Sequence, residues 1–156
     1  MEISKYRESD LEEIVDLFLD TVHEINRKDY SPAQLDAWAP YERRQEIIES
    51  WQKTLREHIS YVARCEHKIV GFADLTLDGQ INRIYVHKDY QNRGIAKKLL
   101  FELEEEAYQL GLIHLDTMAS TTAVPFFQHE GYDIVSEEIA IRNQIALQNF
   151  HMRKEL

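Results

Sequence analysis

The sequence predicts an α/β domain with the element order β-α-α-β-β-β-α-β-α-β-β. Three long segments carry apolar residues at helical spacing, and the shorter segments around them alternate or run continuously apolar, as strands do. The chain has 156 residues, and its 5 Gly and 3 Pro do not gather into a linker. Because compact domains usually hold roughly 100–200 residues, we expect residues 1–156 to form a single domain.

The first third of the chain predicts one strand and two helices. Ile3–Tyr6 alternates like a strand, and the hydroxyl of Ser9 offers a helix cap just before the apolar stripe of Leu11–Ile25. Residues 26–40 lose this stripe and contain two of the prolines, so we expect a loop or a broken helix there. Helical spacing then returns over Ile47–Leu55.

The rest of the chain predicts a run of strands, a helix and a closing β-α-β-β segment. Short polar breaks separate three apolar runs, which indicates successive antiparallel strands. The next helix ends at Gly111, a residue type common at helix C-termini. The predicted elements are strands at Ile59–Cys65, Ile69–Leu77 and Ile81–Val86, a helix at Ile95–Leu110, a strand at Leu112–Thr117, a short helix at Thr121–Glu130, and strands at Tyr132–Ile141 and Ile145–Met152.

The composition argues against several classes of partner. The 28 Asp and Glu outnumber the 18 Lys and Arg, and the net charge of −10 opposes binding to nucleic-acid phosphates. The same field suits a cationic small molecule. No run approaches the roughly 18 apolar residues of a membrane span, and Met1–Arg7 lacks the pattern of a secretory signal. We therefore expect a cytoplasmic protein that binds neither nucleic acid nor membrane.

The cysteine and the histidines predict no further chemistry. Cys65 is the only thiol, and it lies in a predicted strand without an activating neighbour, so we interpret it as inert. The 7 histidines do not have the spacing of a zinc site. We expect no metal.

The segment Ile84–Ala96 is the strongest candidate for a binding site. A predicted strand enters a short loop and then a helix, and Gly94 lets the backbone approach a ligand where the first helical turn offers unpaired amides. These features predict a pyrophosphate cradle, to which Arg93 adds a cation. The segment lacks the glycine spacing of a nucleoside triphosphatase or a dehydrogenase. An ordinary strand-to-helix turn is the alternative interpretation.

The segment Gln91–Ala96 resembles the acetyl-CoA motif of the GNAT N-acetyltransferase superfamily, Gln/Arg-x-x-Gly-x-Gly/Ala. Two further segments resemble the same family in the same order along the chain. Ile69–Ala73 is similar to its third strand, and Ala123–Tyr132 is similar to its Ala-x-x-Phe-Tyr-x-x-x-Gly-Phe segment. The likeness spans most of the chain.

The resemblance implies a GNAT-like fold, with a mixed sheet splayed between its fourth and fifth strands and the pantetheine arm of acetyl-CoA lying in the cleft. The resemblance further implies that the backbone of Ile84–Val86 pairs with pantetheine and that an amide near Val86 meets the thioester oxygen. The amides of Gln91 and Arg93–Ala96 would hold the pyrophosphate. The residues implied in cofactor binding are Ile84, Tyr85, Val86, Gln91, Asn92, Arg93, Gly94, Ile95, Ala96, Phe126 and Phe127.

Phe127 departs from the family pattern. Many members carry at this position a tyrosine that protonates the departing thiolate, and phenylalanine has no proton to give. A thiol with a pKa of about 8.5 leaves tolerably as the anion near neutral pH, so the loss need not abolish transfer. We expect Phe127 to pack beside the CoA sulfur, and the change Phe127→Tyr to alter the rate by less than about tenfold.

The base that deprotonates the acceptor is open among several candidates. An amine with a pKa near 10.4 is neutral in only about one molecule per 2,500 at pH 7, so a base or a water chain is needed. Asp74, in an otherwise apolar strand beside the expected cleft, is the first candidate, and an ion pair is its alternative role. Asn82 lies in the strand that faces the cofactor. His23, Glu24 and Asp29 lie in the region expected to roof the acceptor site.

Aromatic residues near the same region are candidates for substrate binding. Tyr30, Trp38 and Tyr41 could line an amine pocket through cation–π contacts, and Glu24 adds a carboxylate. Core packing is the alternative role for the aromatic side chains.

Residues and resemblance together predict an N-acetyltransferase that moves an acetyl group from acetyl-CoA directly to a primary amine of a small molecule or peptide. The acidic balance favours a polyamine, an aminoglycoside-like compound or another cationic acceptor. A non-catalytic acyl-CoA-binding regulatory module is the alternative, and it would bind acetyl-CoA without turnover. The closing strands between Tyr132 and Met152 also allow a homodimer.

Overall fold

A computed structural model describes residues 1–156 and has the predicted order of elements with one addition. The addition is a seven-residue helix at Pro32–Trp38, where a loop or broken helix was expected. Pro32 occupies its first turn, and the Ser31 hydroxyl accepts a hydrogen bond from the Gln34 amide at 3.2 Å. These are standard signals of a helix start. The segment is too short to display an apolar stripe, which explains the incomplete prediction.

The helices and strands have the following bounds. The helices are α1 (Leu11–Ile25), α2 (Pro32–Trp38), α3 (Arg44–Glu57), α4 (Ile95–Gln109) and α5 (Val124–His129). The strands are β1 (Glu2–Lys5), β2 (Ile59–Cys65), β3 (Lys68–Leu75), β4 (Gln80–Val86), β5 (His114–Ser120), β6 (Asp133–Arg142) and β7 (Ile145–Glu155).

The seven strands form one mixed sheet in the order β1-β2-β3-β4-β5-β7-β6. Every neighbouring pair is antiparallel except β4 and β5, which are parallel. These two strands pair only at Gln80 with Asp116 and Ile81 with Thr117, and they separate beyond that point. The predicted fold class is confirmed, including the splay between the fourth and fifth strands.

Apolar residues pack on both faces of the sheet. Neighbouring strand residues point to opposite faces, and Phe72 accordingly joins the cluster under α1 and α3 while Ala73 joins the cluster under α4 and α5. Two helical layers therefore hold the sheet between them. None of the helices combines the length and the apolar character that crossing a membrane requires.

Two local predictions need correction. Ser9 does not cap α1. Instead, the Asp10 carboxylate accepts a hydrogen bond from the Arg7 amide at 2.9 Å and pairs with Arg64. The closing hairpin is tighter than expected, because Asn143 and Gln144 alone form its turn, with φ of 47° and 67°. Positive φ at both central residues is the geometry that two-residue hairpin turns favour.

Gly71 sets how closely α4 packs on the sheet. A Cβ atom at Gly71 would lie 3.0 Å from a methyl carbon of Ile95 and 3.0 Å from one of Leu99. It would also lie 3.2 Å from the carbonyl oxygen of Tyr85. These contacts are shorter than side chains normally make, so the N-terminal half of α4 approaches β3 and β4 only because residue 71 has no side chain.

We expect Gly71→Ala to destabilise the fold by about 1–3 kcal/mol, since overpacking forces α4 away from the sheet. Urea unfolding of both proteins measures the difference. Ile113→Ala is the control, because that side chain is 73% exposed and its loss should change stability by less than about 0.5 kcal/mol. Equal stability of Gly71→Ala and the parent protein would contradict the close-packing account.

Candidate active site

A groove of about 840 Å³ opens where β4 and β5 separate. The end of β4, the loop after it and the first turn of α4 form one wall, and the end of α1 and the start of α5 form the others. Among the predicted cofactor residues, those that line the groove are Ile84, Tyr85, Val86, Gln91, Asn92, Gly94, Ile95, Ala96 and Phe126. The structure thus brings most of the predicted set together.

The edge of β4 presents free backbone groups to this groove. The amide of His87 donates to the Val70 carbonyl at 2.8 Å, so this residue faces β3. Because the direction alternates along an antiparallel strand, the amides of Ile84 and Val86 face the other way, toward the gap left by β5. The Val86 carbonyl accepts hydrogen bonds from Thr21 at 3.0 Å and Gln91 at 2.8 Å. These bonds fix the end of β4 in place.

The loop between β4 and α4 has two residues in the left-handed region. Asn92 has φ of 61°, and Gly94, at the cap of α4, has φ of 78°. The loop delivers the first amides of α4 to the groove without a side chain in front of them, since a Cβ at Gly94 would meet nothing within 4 Å. The first turn of α4 carries no acidic residue. Unpaired amides and the positive end of the helix dipole suit an anion here.

The cations of the groove differ from the predicted one. Arg27, Lys28 and Lys97 line it. Arg93 does not, because its guanidinium lies over the ring of Tyr90 at 4.8 Å. The Arg93 side-chain fork on the ligand stays a prediction, and three other basic residues offer positive charge at the groove itself.

A second cavity of about 220 Å³ adjoins the groove. Tyr85 and Ser120 line both spaces, so they mark the junction between them. The Ser120 hydroxyl accepts a hydrogen bond from the Ala123 amide at 3.2 Å. Burial raises the pKa of the Tyr85 hydroxyl to about 12, and this group stays protonated at neutral pH. The second cavity has the position and size of a site for a small second substrate.

The predicted aromatic residues separate into two groups. Tyr30 and Trp38 line the second cavity with their rings 5.4 Å apart. The Tyr30 hydroxyl donates to the Gln148 carbonyl at 2.6 Å and accepts from the Thr121 amide at 2.9 Å, which ties the α1–α2 connection to two strands. Tyr41 lies elsewhere, with its hydroxyl donating to Asp20.

Asp74 forms a buried ion pair and reaches neither cavity. Arg83 donates to both of its carboxylate oxygens, at 3.0 and 2.9 Å, and His58 Nδ1 lies 2.7 Å from one of them. The carboxylate is 0% exposed. A general base must reach the acceptor directly or through one water. The geometry favours the ion-pair role, and we do not retain Asp74 as the base.

The other base candidates also lie outside the position that a base needs. Asn82 lines the second cavity, but its amide does not take up a proton near neutral pH. Glu24 lines the groove and not the second cavity. His23 is 2.7 Å from the Ala39 carbonyl, and Asp29 accepts a hydrogen bond from Thr122. No Asp, Glu or His lines the second cavity.

Phe127 lies in the core and not beside the groove. It is 1% exposed, and its ring makes edge contacts with Phe126 at 5.1 Å and Tyr132 at 5.3 Å. Phe126, one residue earlier, lines the groove instead. The expectation that Phe127 packs beside the CoA sulfur is wrong, because the helical turn of α5 points it at the cluster under α4.

Sequence reasoning missed several residues that line the two spaces. Ser120 and Arg142 are the last residues of β5 and β6, and Asn149 lies within β7. Their positions depend on which strand residues pair across the sheet, and no local motif marks them. The only available signal was strand alternation, which would have placed Ala140 and Arg142 on one face of β6.

Comparison with known proteins agrees with this geometry. The family model of the GNAT acetyltransferase domain matches residues 26–156. The chain therefore belongs to the GNAT acetyltransferase family and is an acyltransferase.

Individual relatives match over nearly the whole chain. The uncharacterised N-acetyltransferase YafP of Escherichia coli K12 is 29% identical over 154 residues, which is 98% of this chain and 95% of that protein. A GCN5-related N-acetyltransferase of Rhodopseudomonas palustris superposes with a TM-score of 0.94 at 28% identity, covering 99% and 95% of the two chains. The PaiA N-acetyltransferase of Thermoplasma acidophilum, solved with coenzyme A, superposes with a TM-score of 0.82 at 18% identity. The match covers 99% of this chain and 98% of that chain.

We expect Phe127→Tyr to reduce stability by about 1–3 kcal/mol, because the added hydroxyl enters a closed apolar cluster. Its melting temperature should fall, while its affinity for coenzyme A stays within about twofold of the parent value. Differential scanning fluorimetry and calorimetric titration measure these two quantities. A protein of unchanged stability that binds the coenzyme differently would mean that residue 127 faces the groove.

Proposed function

We propose that this protein transfers the acetyl group of acetyl-CoA to a primary amine, by direct attack within a ternary complex. The observation that carries the proposal is the junction of the two spaces at Tyr85 and Ser120. A long groove that ends at a smaller cavity lets a thioester and an amine meet at one point. Membership of the GNAT family supports the same reaction.

The groove residues fit acetyl-CoA along its length. The free amides of Ile84 and Val86 suit the amide groups of the pantetheine arm, which then lies beside β4 like an added strand. The first amides of α4, together with Lys97, suit the pyrophosphate. Space for the ligand in front of Gly94 agrees with this assignment.

Acetyl transfer requires that residues at the junction stabilise the carbonyl oxygen and the departing sulfur. Attack of the amine nitrogen on the thioester carbon forms the C–N bond and builds negative charge on the carbonyl oxygen, where one fixed donor such as the Val86 amide contributes about 3 kcal/mol. Collapse breaks the C–S bond, and the thiolate leaves. We assign the Ser120 hydroxyl as a hydrogen-bond donor to this departing thiolate. The amine's proton leaves to water, and the thiolate takes up a proton from water.

A non-catalytic module that only binds acyl-CoA is the competing function. Family membership favours the enzyme, and an assay of CoA release across a panel of primary amines separates the two. Release that depends on both acetyl-CoA and an amine supports the proposed transfer. Binding of acetyl-CoA with no release for any amine supports the module. Homodimer formation and a cytoplasmic location remain predictions of the sequence.

We expect Gly94→Leu to weaken coenzyme A binding by at least about tenfold, because a side chain then stands before the anion-binding amides. Gly111→Leu is a matched control at the other end of α4. Gly111 has the same φ of 78°, and a Cβ there also meets nothing within 4 Å. Both changes should cost about 1–2 kcal/mol of stability through left-handed backbone strain. Calorimetric titration with coenzyme A gives the affinities.

Equal affinity of the two leucine variants for coenzyme A would mean that the amides at the start of α4 do not hold the pyrophosphate. Loss of affinity confined to Gly94→Leu would place the anion there, since strain and helix identity are matched.

We expect kcat/KM for the amine to rise about tenfold per pH unit until the pH reaches the pKa of that amine. The reason is that no carboxylate or imidazole lines the second cavity, so solution must supply the neutral amine. The Tyr85 hydroxyl does not titrate in this range, because its pKa is about 12. Initial rates between pH 6 and pH 9 test the slope. A plateau beginning near pH 6–7, with an amine of much higher pKa, would indicate a protein base.

A further inference from the structure

The second cavity has a charge opposite to that of the whole chain. The protein carries a net charge of −10, yet Arg142 is the one residue with a formal charge among those that line this cavity. The remaining lining is aromatic, aliphatic or neutral and polar. A cationic acceptor such as a polyamine gains nothing from this lining and meets a guanidinium. The cavity therefore selects for an acceptor that has a negative group.

Strand register directs Arg142 toward the cavity. Ala140 pairs with Leu147, and Arg142 lies two residues further along β6, so all three share one face of the sheet. All three line the second cavity. The turn next to Arg142 is held in place because Asn143 donates to the Ala37 carbonyl at 2.9 Å. The guanidinium thus comes from a fixed strand end.

The Arg142 guanidinium has no carboxylate partner in the protein. It enters no ion pair, and its only hydrogen bond is to the carbonyl of the adjacent Ile141, at 3.2 Å. Other arginines of the chain, such as Arg83 and Arg44, are paired with aspartates. Arg142 is exposed where it lines the cavity. Its free donors offer the planar fork that carboxylates fit in bidentate fashion.

A second polar group of the cavity also lacks a partner. The side-chain oxygen of Asn149 is buried and makes no hydrogen bond. Buried polar atoms are nearly always paired, so an orphan atom in a cavity indicates a partner supplied by a ligand. Asn149 pairs with Ser120 of β5, the residue at the junction with the groove. An N–H donor at Asn149 would lie near the point of acetyl transfer.

We propose, in an inference that rests on the proposed function, that the acceptor is a small amino-acid-like compound. This compound carries both a primary amine and a carboxylate. Its amine donates to the Asn149 oxygen, and its carboxylate binds Arg142. Asn149 pairs with Glu138 of β6, four residues from Arg142, an offset of about 13 Å along a strand. The reach of an arginine side chain shortens this gap, and a carbon chain of the substrate spans the rest beside Tyr30 and Trp38.

The proposed step balances as an ordinary N-acetylation. The amine nitrogen forms a bond to the acetyl carbon, the C–S bond breaks, and the products are an N-acetyl amino acid and the CoA thiol. The proton lost by the nitrogen passes to water, and the sulfur gains one. The carboxylate of the acceptor takes no part in bond making, because Arg142 only holds it.

The test uses sets of matched amines with the full-length protein and acetyl-CoA. Each set contains an amino acid, its carboxamide and the amine that lacks the carboxyl group, for example phenylalanine, phenylalaninamide and phenethylamine. Acids with longer amine-to-carboxylate spacing, such as γ-aminobutyrate and ε-aminocaproate, cover the span of the cavity, and spermidine represents cationic acceptors. We expect kcat/KM for at least one acid to exceed that of its two neutral-ended partners by about 10- to 100-fold.

Variants assign the preference to particular residues. Arg142→Gln should reduce the acid-over-carboxamide ratio to below about threefold through a higher KM, and Arg142→Lys should restore part of it. Asn149→Leu should raise KM for acid and carboxamide alike and leave their ratio unchanged. Arg43→Gln is the control, because Arg43 touches the same hairpin turn through Asn143 without lining the cavity. It should keep the parent ratio.

The possible outcomes distinguish failure of this inference from failure of the proposed acetyltransferase function. Failure to release CoA with any amine would overturn the transfer reaction and this inference with it. Turnover in which carboxamides or spermidine equal or exceed the acids would leave N-acetylation standing and overturn the carboxylate-bearing acceptor. A preference for acids that survives Arg142→Gln would overturn the assignment of Arg142. Calorimetry of the same acids with the CoA-bound protein keeps binding measurable if a variant transfers slowly.

Discussion

The short parallel contact between β4 and β5 is the constraint on which the rest of the molecule depends. Two residue pairs join these strands, and beyond Ile81 and Thr117 the sheet opens. An open sheet leaves backbone donors and acceptors without partners, a costly arrangement unless a ligand or water satisfies them. In this protein the opening creates both spaces of the site. The groove lies along the end of β4 and the start of α4, and the smaller cavity lies between β4 and the β5–β7–β6 group.

Several contacts keep β4 in place although it has lost one neighbour. At its middle, Arg83 pairs with the buried Asp74, and the Arg83 guanidinium lies 4.5 Å from the ring centre of Trp51. At its end, Thr21 and Gln91 hold the Val86 carbonyl. Hydrogen bonds to charged groups contribute about 1.5–3 kcal/mol each. Asp74 thus holds in place the strand that forms one wall of the groove.

Much of the fold and half of the site follow from local sequence. The half of the site at the groove follows from Gln91–Ala96, because a glycine between a strand and a helix marks a local backbone geometry, and the structure places that loop at the groove. The second cavity was beyond local reasoning. Two of its lining residues, Arg142 and Asn149, lie on different strands and come to line one cavity only through the register of a hairpin whose turn is Asn143–Gln144. The same limit explains why the position of Phe127 was predicted incorrectly. The direction of its side chain depends on the rotation of a six-residue helix, which no local motif specifies.

The groove and the second cavity are lined by largely different parts of the chain. The loop at Gly94 and the β4 edge belong to one side of the opening, whereas Arg142 stands at the tip of the outermost hairpin, on a strand with a neighbour on one side only. A change of length or charge at that tip would alter the second cavity without touching the residues of the loop at Gly94. With such an arrangement a protein can keep the same acyl donor while its acceptor changes. The hairpin tip is then the first place to alter when a different acceptor is wanted.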